Sequence, residues 1–533
     1  MESGARIFLS TLKELGVDKI FIVSGTDYAA FIEEKVRDPS LPDFIVVPHE
    51  ITSASAAIGY YLAGKIGVTA VHTIPGTLNA SGIIVDAFSS RIPLIVIAGR
   101  SPYTENGSNA SRNLRIHWTQ EARDQGEILR QWVKWDFEIR RVDQIEGSIV
   151  RAFEIAFSEP KGPVYIMIPR EVSVELGERK GKVKRMSTYE PGPTTEALKK
   201  AEKMINESQS PVIITWRSGR RKEWFNSLKR FADKVGIPVL NYVGEVVNYE
   251  GEMGIDYFDL KKSDLIIVVE NEVPWIPKRL GEVNSPVIKV DVEPLYTYIP
   301  YYGFPCDLCI QSTVSEFFDR LEVKEKAELK EKVRELHAEQ ERKKEEEVER
   351  LKKNKKIHPR LLSYYIGKLR EKVVFNEYPL NPRYGKYYYG EYFGDPGFGH
   401  LGWALGASFG YSLGTGKKVI AAVGDGAFIF GVPEAFYYAV KTYNANVTVI
   451  IFDNQGWLAS AEAVEEVYPE GLAKAKKLFP GADFTHYDIG ATVKAFNGYY
   501  RLVESVDELE EGITESVNQK GLAVLQVIVD RGR

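Results

Sequence analysis

"VIAAVGDGAFIFGVPEAFYYAVKTYNANVTVIIFDNQGW", residues 419–457, reads as an apolar strand, Gly-Asp-Gly, a helix, a second apolar strand and then Asp-Asn. Both strands are short, rich in Val and Ile, and run into turn residues, the pattern of strands buried in a parallel sheet. Gly424 and Gly426 let backbone amides approach a phosphate, and Asp425 between them is a hard oxygen ligand suited to Mg²⁺. Pro433 fits the first turn of the helix that follows. After 26 residues between Gly426 and Asp453, the second strand returns Asn454 beside Asp425. Both then stand at the carboxyl edge of the sheet, where open α/β sheets bind ligands.

The same alternation of strand and helix extends outward through the chain. Strands are expected in 19–25, 44–48, 67–73, 93–99 and 162–169, then in 211–216, 237–241, 264–270 and 286–294, and finally in 373–379, 418–426, 446–456 and 522–529. This predicts an α/β protein of three doubly wound, mainly parallel-sheet domains. The expected boundaries are 1–185, 190–325 and 357–533, with a charge-laced linker helix over 326–356. The Pro/Gly-rich "YEPGPTTEA" (189–197) marks the first junction.

Composition removes several function classes. A formal charge of −5 across 533 residues gives no reason to expect nucleic acid or an anionic membrane as partner. No apolar run approaches the roughly 20 residues needed to cross a bilayer. The opening "MESGARIFLSTLKELGV" is an amphipathic helix pattern rather than a signal peptide, and a cytoplasmic protein is expected. Cys306 and Cys309 in "PCDLC" have no second pair to complete a zinc site, which leaves ordinary thiols or a disulfide.

The Gly-Asp-Gly and Asp-Asn pair, at this spacing, resembles the signature of thiamine-diphosphate-dependent 2-oxo acid decarboxylases and acetolactate-synthase-like carboligases. The first Asn of that signature is Asp453 here. The resemblance covers nearly the whole chain and implies pyrimidine-binding, central and diphosphate-binding domains. It implies Mg²⁺ on Asp425, Asn454 and the Gly456 carbonyl, and thiamine diphosphate against Gly424, Gly426, Ala427, Asn454 and Trp457. "PGFGHLGWALGASFG" (396–410) resembles the family's preceding glycine-rich segment, making Leu401 the cofactor wedge and the Gly399 carbonyl its aminopyrimidine acceptor. The ALGASFG part reads as a helix packed closely on a sheet. In "FNEYPL", Pro379 and Leu380 stand where relatives offer hydroxyls, and Ala427 replaces a frequent Ser, so backbone amides carry more of the diphosphate contact.

In "FIVVPHEITSASAAIGYYLAG" (44–64), one carboxylate, Glu50, lies where a buried strand gives way to a helix of small residues. The resemblance makes Glu50 the acid that hydrogen-bonds the cofactor's aminopyrimidine and so activates its thiazolium carbon. It also implies that Glu50 serves cofactor on a neighbouring subunit, hence a homodimer or homotetramer with sites between subunits.

"AVHTIPGTLNASG" (70–82) places His72 where benzoylformate decarboxylase has a catalytic histidine, and Thr26 falls where that enzyme has a serine contacting the substrate carboxylate. "VKWDFEIR" and "EPKGPVYIMIPREV" point to the same branch, whereas Gln120–Glu121 in "WTQEARDQGE" resembles the synthases. The expected function is a thiamine-diphosphate- and Mg²⁺-dependent lyase decarboxylating a 2-oxo acid, with carboligation as a side activity. The alternatives are an acetolactate-synthase-like transferase and a non-catalytic homologue. Thr26, His72, Trp457, Leu458 and Ala461 are expected to line the substrate pocket. The central domain, without a G-x-G fingerprint in "PVIITWRSGRRKEWF", is expected to carry neither FAD nor ADP.

Overall fold

Thirteen apolar runs become strands because each is too short for a buried helix and is bounded by turn residues. The computed structural model describes residues 1–181, 186, 188–485 and 487–531, so the expected domain ends at 185 and 533 lie outside the described residues. The chain forms two compact units, Met1–Thr188 with Val374–Pro379 and Asp395–Arg533, and Tyr189–Val373 with Leu380–Gly394.

The first unit contains two parallel sheets. One has β1 (Lys19–Val23), β2 (Asp43–Val46), β3 (Gly67–Val71), β4 (Leu94–Arg100), β5 (Asp136–Glu138) and β6 (Val164–Pro169) in the order β2-β1-β3-β4-β6-β5. The second unit is built on β7 (Pro211–Thr215), β8 (Val239–Leu240), β9 (Leu265–Val269), β10 (Val287–Asp291) and β11 (Leu308–Gln311), all parallel, in the order β8-β7-β9-β10-β11. Its sheet core runs through Ile213, Ile267 and Val290, all fully buried. The other sheet of the first unit has β12 (Val374–Glu377), β13 (Val419–Gly424), β14 (Val447–Asp453), β15 (Tyr499–Val503) and β16 (Leu522–Ile528), paired in parallel as β12-β13-β14-β16-β15. The fold class is therefore α/β with mainly parallel sheets, as expected.

The Ala/Gly-rich runs have a packing role. Helix α1 (Glu50–Leu62) lies against helix α2 (Trp403–Thr415) so closely that a Cβ on Gly59 would sit 1.8 Å from the Ala407 carbonyl, and one on Gly410 would sit 1.9 Å from that of Ala56. Helix α2 packs on its sheet, as expected, and the glycines of ALGASFG meet α1 besides. Glycine is required there because no side chain fits between the two backbones.

The charged linker is one helix, Ala327–Leu351. Cys306 and Cys309 form a disulfide. No helix among the described residues is long and apolar enough to cross a membrane.

Candidate active site

Sheet register brings the expected residues to two carboxyl edges. Val23 pairs with Val71, so Thr26 and His72 leave neighbouring strands, β1 and β3. Gly424 pairs with Phe452, which puts Asp425 and Asn454 just past the ends of β13 and β14.

At the first edge, His72 is held by both ring nitrogens. Nδ1–H donates to Asp27 Oδ1 at 2.7 Å and Nε2–H donates to Gln120 Oε1 at 3.1 Å. With acceptor oxygens on both sides, the doubly protonated ring is favoured. The Asp27 hydrogen bond is the main reason its pKa rises above the usual histidine value, against the opposing effect of burial. Gly25 makes the close approach of the ring feasible, since a Cβ there would lie 2.1 Å from His72 Nδ1. The next residue, Thr73, has φ 36°, a strained value for a β-branched side chain at the turn that aims His72.

Glu50 is the first residue of α1, 8% exposed, behind the N-cap residue His49. Its Oε2 accepts from Asn79 Nδ2 at 3.1 Å. Thr26 Oγ1 lies 3.1 Å from His117 Nε2. Asp27, Asn79 and His117 were not singled out from sequence, and Gln120 was noted only as a family likeness. Their pairings span up to 91 residues, which no local pattern encodes.

At the second edge, Asp425 is 1% exposed and both carboxylate oxygens receive backbone amides, Oδ1 from Gly426 and Oδ2 from Gly456, each at 3.0 Å. Asn454 Oδ1 is buried without a hydrogen-bond partner among the described residues. An acceptor left over beside a buried carboxylate fits a hard cation, and the donor set Asp425, Asn454 and the Gly456 carbonyl is all oxygen, as Mg²⁺ prefers. Gly424 faces space that a Cβ would enter without contact, room a diphosphate needs, whereas Gly426 packs under the Trp457 indole. Ala427 is buried and offers no polar side chain. Asp453 turns away from this group: Oδ1 accepts from the Gln455 amide and Oδ2 from Gln526 Nε2 at 2.6 Å. Arg531 ties the loop down, donating from Nε to the Asn454 carbonyl and from Nη2 to that of Gln455, both at 2.9 Å.

A glycine-rich loop, 396–402, packs beside the helix that carries Asn79. The Phe398 amide donates to Ser89 Oγ and the His400 amide to Asp86 Oδ1, each at 3.0 Å, on the same helix (Thr73–Ser89) that carries Asn79. A Cβ on Gly402 would meet Gly431 at 2.8 Å and the Ile51 side chain at 3.3 Å. One chain thus sets this loop beside the residue following Glu50. The Gly399 carbonyl accepts from the Tyr378 hydroxyl at 3.2 Å, and Leu401 is half-buried. Glu377, fully buried at the end of β12, caps α2 by accepting from the Gly402 amide at 2.5 Å and the Ala404 amide at 2.9 Å. Leu458 is half-buried beyond Trp457, and Ala461 is 2% exposed.

Residues 2–128 match the family described as thiamine pyrophosphate enzyme, N-terminal TPP binding domain, and residues 380–527 match thiamine pyrophosphate enzyme, C-terminal TPP binding domain. Together the two matches span just over half of the chain. The acetolactate synthase of Bacillus subtilis (strain 168) is 23% identical, over 99% of this chain and 93% of its own length. The chloroplastic acetolactate synthase 1 of Zea mays is also 23% identical, over 99% of this chain and 85% of its own. Among solved structures, benzoylformate decarboxylase from Polynucleobacter necessarius superposes with a TM-score of 0.81 at 20% identity, covering 100% of this chain and 99% of that one. At that identity the superposition establishes the fold alone.

Proposed function

The chain belongs to the thiamine pyrophosphate enzyme family, and on that premise we propose that it is a Mg²⁺-dependent lyase that decarboxylates a 2-oxo acid. The observation that carries the reading is His72, fixed between Asp27 and Gln120 beside Thr26. When bound, thiamine diphosphate supplies a carbon nucleophile and an electron sink for the departing carboxylate. Asp425, Asn454 and the Gly456 carbonyl would hold the cation, and the backbone at Gly424 and Gly426 would receive the diphosphate. The Gly399 carbonyl and Leu401 would orient the pyrimidine side, where Glu50 would be the proton-sharing acid. Trp457, Leu458 and Ala461 would give the substrate an apolar wall. His72, in its protonated form, would be the proton donor facing the substrate.

A second reading, condensation of two 2-oxo acids in the manner of acetolactate synthases, is favoured by the names of the 23%-identical relatives and by Gln120–Glu121. Retention of Glu50, Asp425 and Asn454 together speaks against a non-catalytic homologue. In the second unit, Arg217 pairs with Glu245 and Glu272, and Arg220 with Glu270, beyond the ends of β7 and β9. The central region is read as structural, without FAD or ADP, because its sequence carries no G-x-G fingerprint. Leu78, Phe398 and Trp457 are exposed apolar groups near the site, and burying them between copies supports a homodimer or homotetramer.

The discriminating experiment incubates the protein with pyruvate or phenylglyoxylate, with and without an added aldehyde. Free aldehyde as the main product supports the lyase. Acetolactate as the main product transfers the assignment to the synthase.

A further inference from the structure

His117 is 1% exposed on a short helical turn, Ile116–Thr119, and both of its nitrogens are engaged. The Asn113 backbone amide reaches Nδ1 at 3.2 Å. A backbone N–H can only donate, so Nδ1 carries the lone pair and, in the neutral ring, the proton resides on Nε2. That nitrogen points at Thr26 Oγ1, 3.1 Å away. The threonine oxygen therefore accepts, and its own hydrogen has no acceptor among the described residues. Burial, with the nearby charges of Arg170, Arg112 and His72, keeps His117 below the usual histidine pKa, and Asp27 opposes them.

The arrangement is built into the fold. Arg170, 7% exposed directly after β6, donates from Nε to the Ala110 carbonyl at 2.8 Å and from Nη2 to the Ser111 carbonyl and to Asn113 Oδ1. These bonds fix the loop that supplies the Asn113 amide. On the other side, Tyr28 donates to the Val71 carbonyl at 2.9 Å and anchors the turn that carries Thr26.

We propose that His117 is a positioning residue that occupies one lone pair of the Thr26 oxygen and leaves its hydroxyl proton free to donate, so that this wall of the site favours the carboxylate of its substrate. A hydroxyl whose proton cannot turn toward His117 meets an acceptor group more readily than one that can spend its proton on the ring. The inference rests on the 2-oxo acid reading, with Thr26 at the substrate carboxylate as the resemblance implies, and deepens it by naming His117 as the residue that directs that hydroxyl.

The test uses the full chain with thiamine diphosphate and Mg²⁺, and the variants His117→Phe, His117→Gln and Thr26→Val. Inhibition constants are measured for a 2-hydroxy acid and for the corresponding carboxylate-free alcohol. His117→Phe and Thr26→Val should each weaken the acid by roughly 10–100-fold, the scale of a hydrogen bond to a charged group, and leave the alcohol unchanged. His117→Gln, whose amide still donates, should recover most of the loss. The double variant should lose no more than either single one, because both remove the same interaction. Equal weakening of acid and alcohol, or additive losses in the double variant, overturns the inference while leaving the functional reading intact. A wild type that binds thiamine diphosphate but turns over no 2-oxo acid overturns both.

Discussion

Glu50 and His72 are the residues to which the proposed reading gives the chemistry, and each makes a separable prediction. Glu50 is nearly buried and already hydrogen-bonded to Asn79, so Glu50→Gln keeps the packing and removes the acid. Thiamine diphosphate affinity should persist, and exchange of the thiazolium proton, followed by NMR in heavy water, should slow by orders of magnitude. Wild-type exchange in the variant would remove Glu50 from its role. For His72→Ala, aldehyde release should slow by roughly 10²–10⁴-fold, the usual scale of a positioned proton donor, while ligation to an added aldehyde rises relative to free aldehyde. An unchanged product ratio would argue against the proton-donor role. The Asp27–His72 pair also predicts a pH signature. The folded-state pKa of His72 is raised, so the pair's stabilisation is complete below the ordinary histidine value of 6.5 and fades as pH rises through the higher folded value. The difference in melting temperature between wild type and Asp27→Asn should therefore shrink from acid to alkaline pH.

Helix α2 shows how an element depends on one distant side chain. Its N-cap residue, Gly402, has no side chain to cap with, and Glu377 at the end of β12 does so instead. Burial pushes the Glu377 carboxyl up to about 8, outweighing the two amides that favour its charged form. Between the ordinary 4.5 and about 8 the folded chain binds the proton that the unfolded chain has lost, so stability falls with rising pH across that window. Glu377→Gln should abolish this part of the slope in melting curves. It should also cost about 1–3 kcal/mol, because the amide nitrogen then faces a backbone N–H. An identical slope in both proteins would contradict the raised pKa of Glu377. The elements were legible in unequal measure. Thirteen strands announced themselves as continuous apolar runs, yet Asp136–Glu138, Leu308–Gln311 and Tyr499–Val503 did not. All three are sheet edges, short or only partly buried, and an edge strand needs no unbroken apolar face. In the candidate site, strand ends and spacing placed Glu50, Asp425 and Asn454 at sheet edges, and the resemblance gave them the roles proposed here. Asp27, His117 and Glu377 could not be read from sequence, because their partners are fixed by sheet register and loop packing.

On the scale of the whole molecule, parallel sheets put Thr26, His72, Asp425 and Asn454 just past carboxyl edges within one unit. Association should then cover the exposed apolar groups near them. Sedimentation is predicted to give a dimer or tetramer at micromolar concentration, and a monomer there would leave those groups without a covering surface. Whether this chain uses thiamine diphosphate and Mg²⁺ to decarboxylate a 2-oxo acid is decided by carbon dioxide release from carboxyl-labelled pyruvate and phenylglyoxylate. Parallel calorimetry follows thiamine diphosphate binding in wild type and Asp425→Ala. Labelled carbon dioxide is expected from at least one acid, only when cofactor and Mg²⁺ are both present, and binding should disappear with EDTA or in Asp425→Ala. Cofactor binding that survives in Asp425→Ala without metal, or no carbon dioxide from either acid by a wild type saturated with both, would contradict this reading.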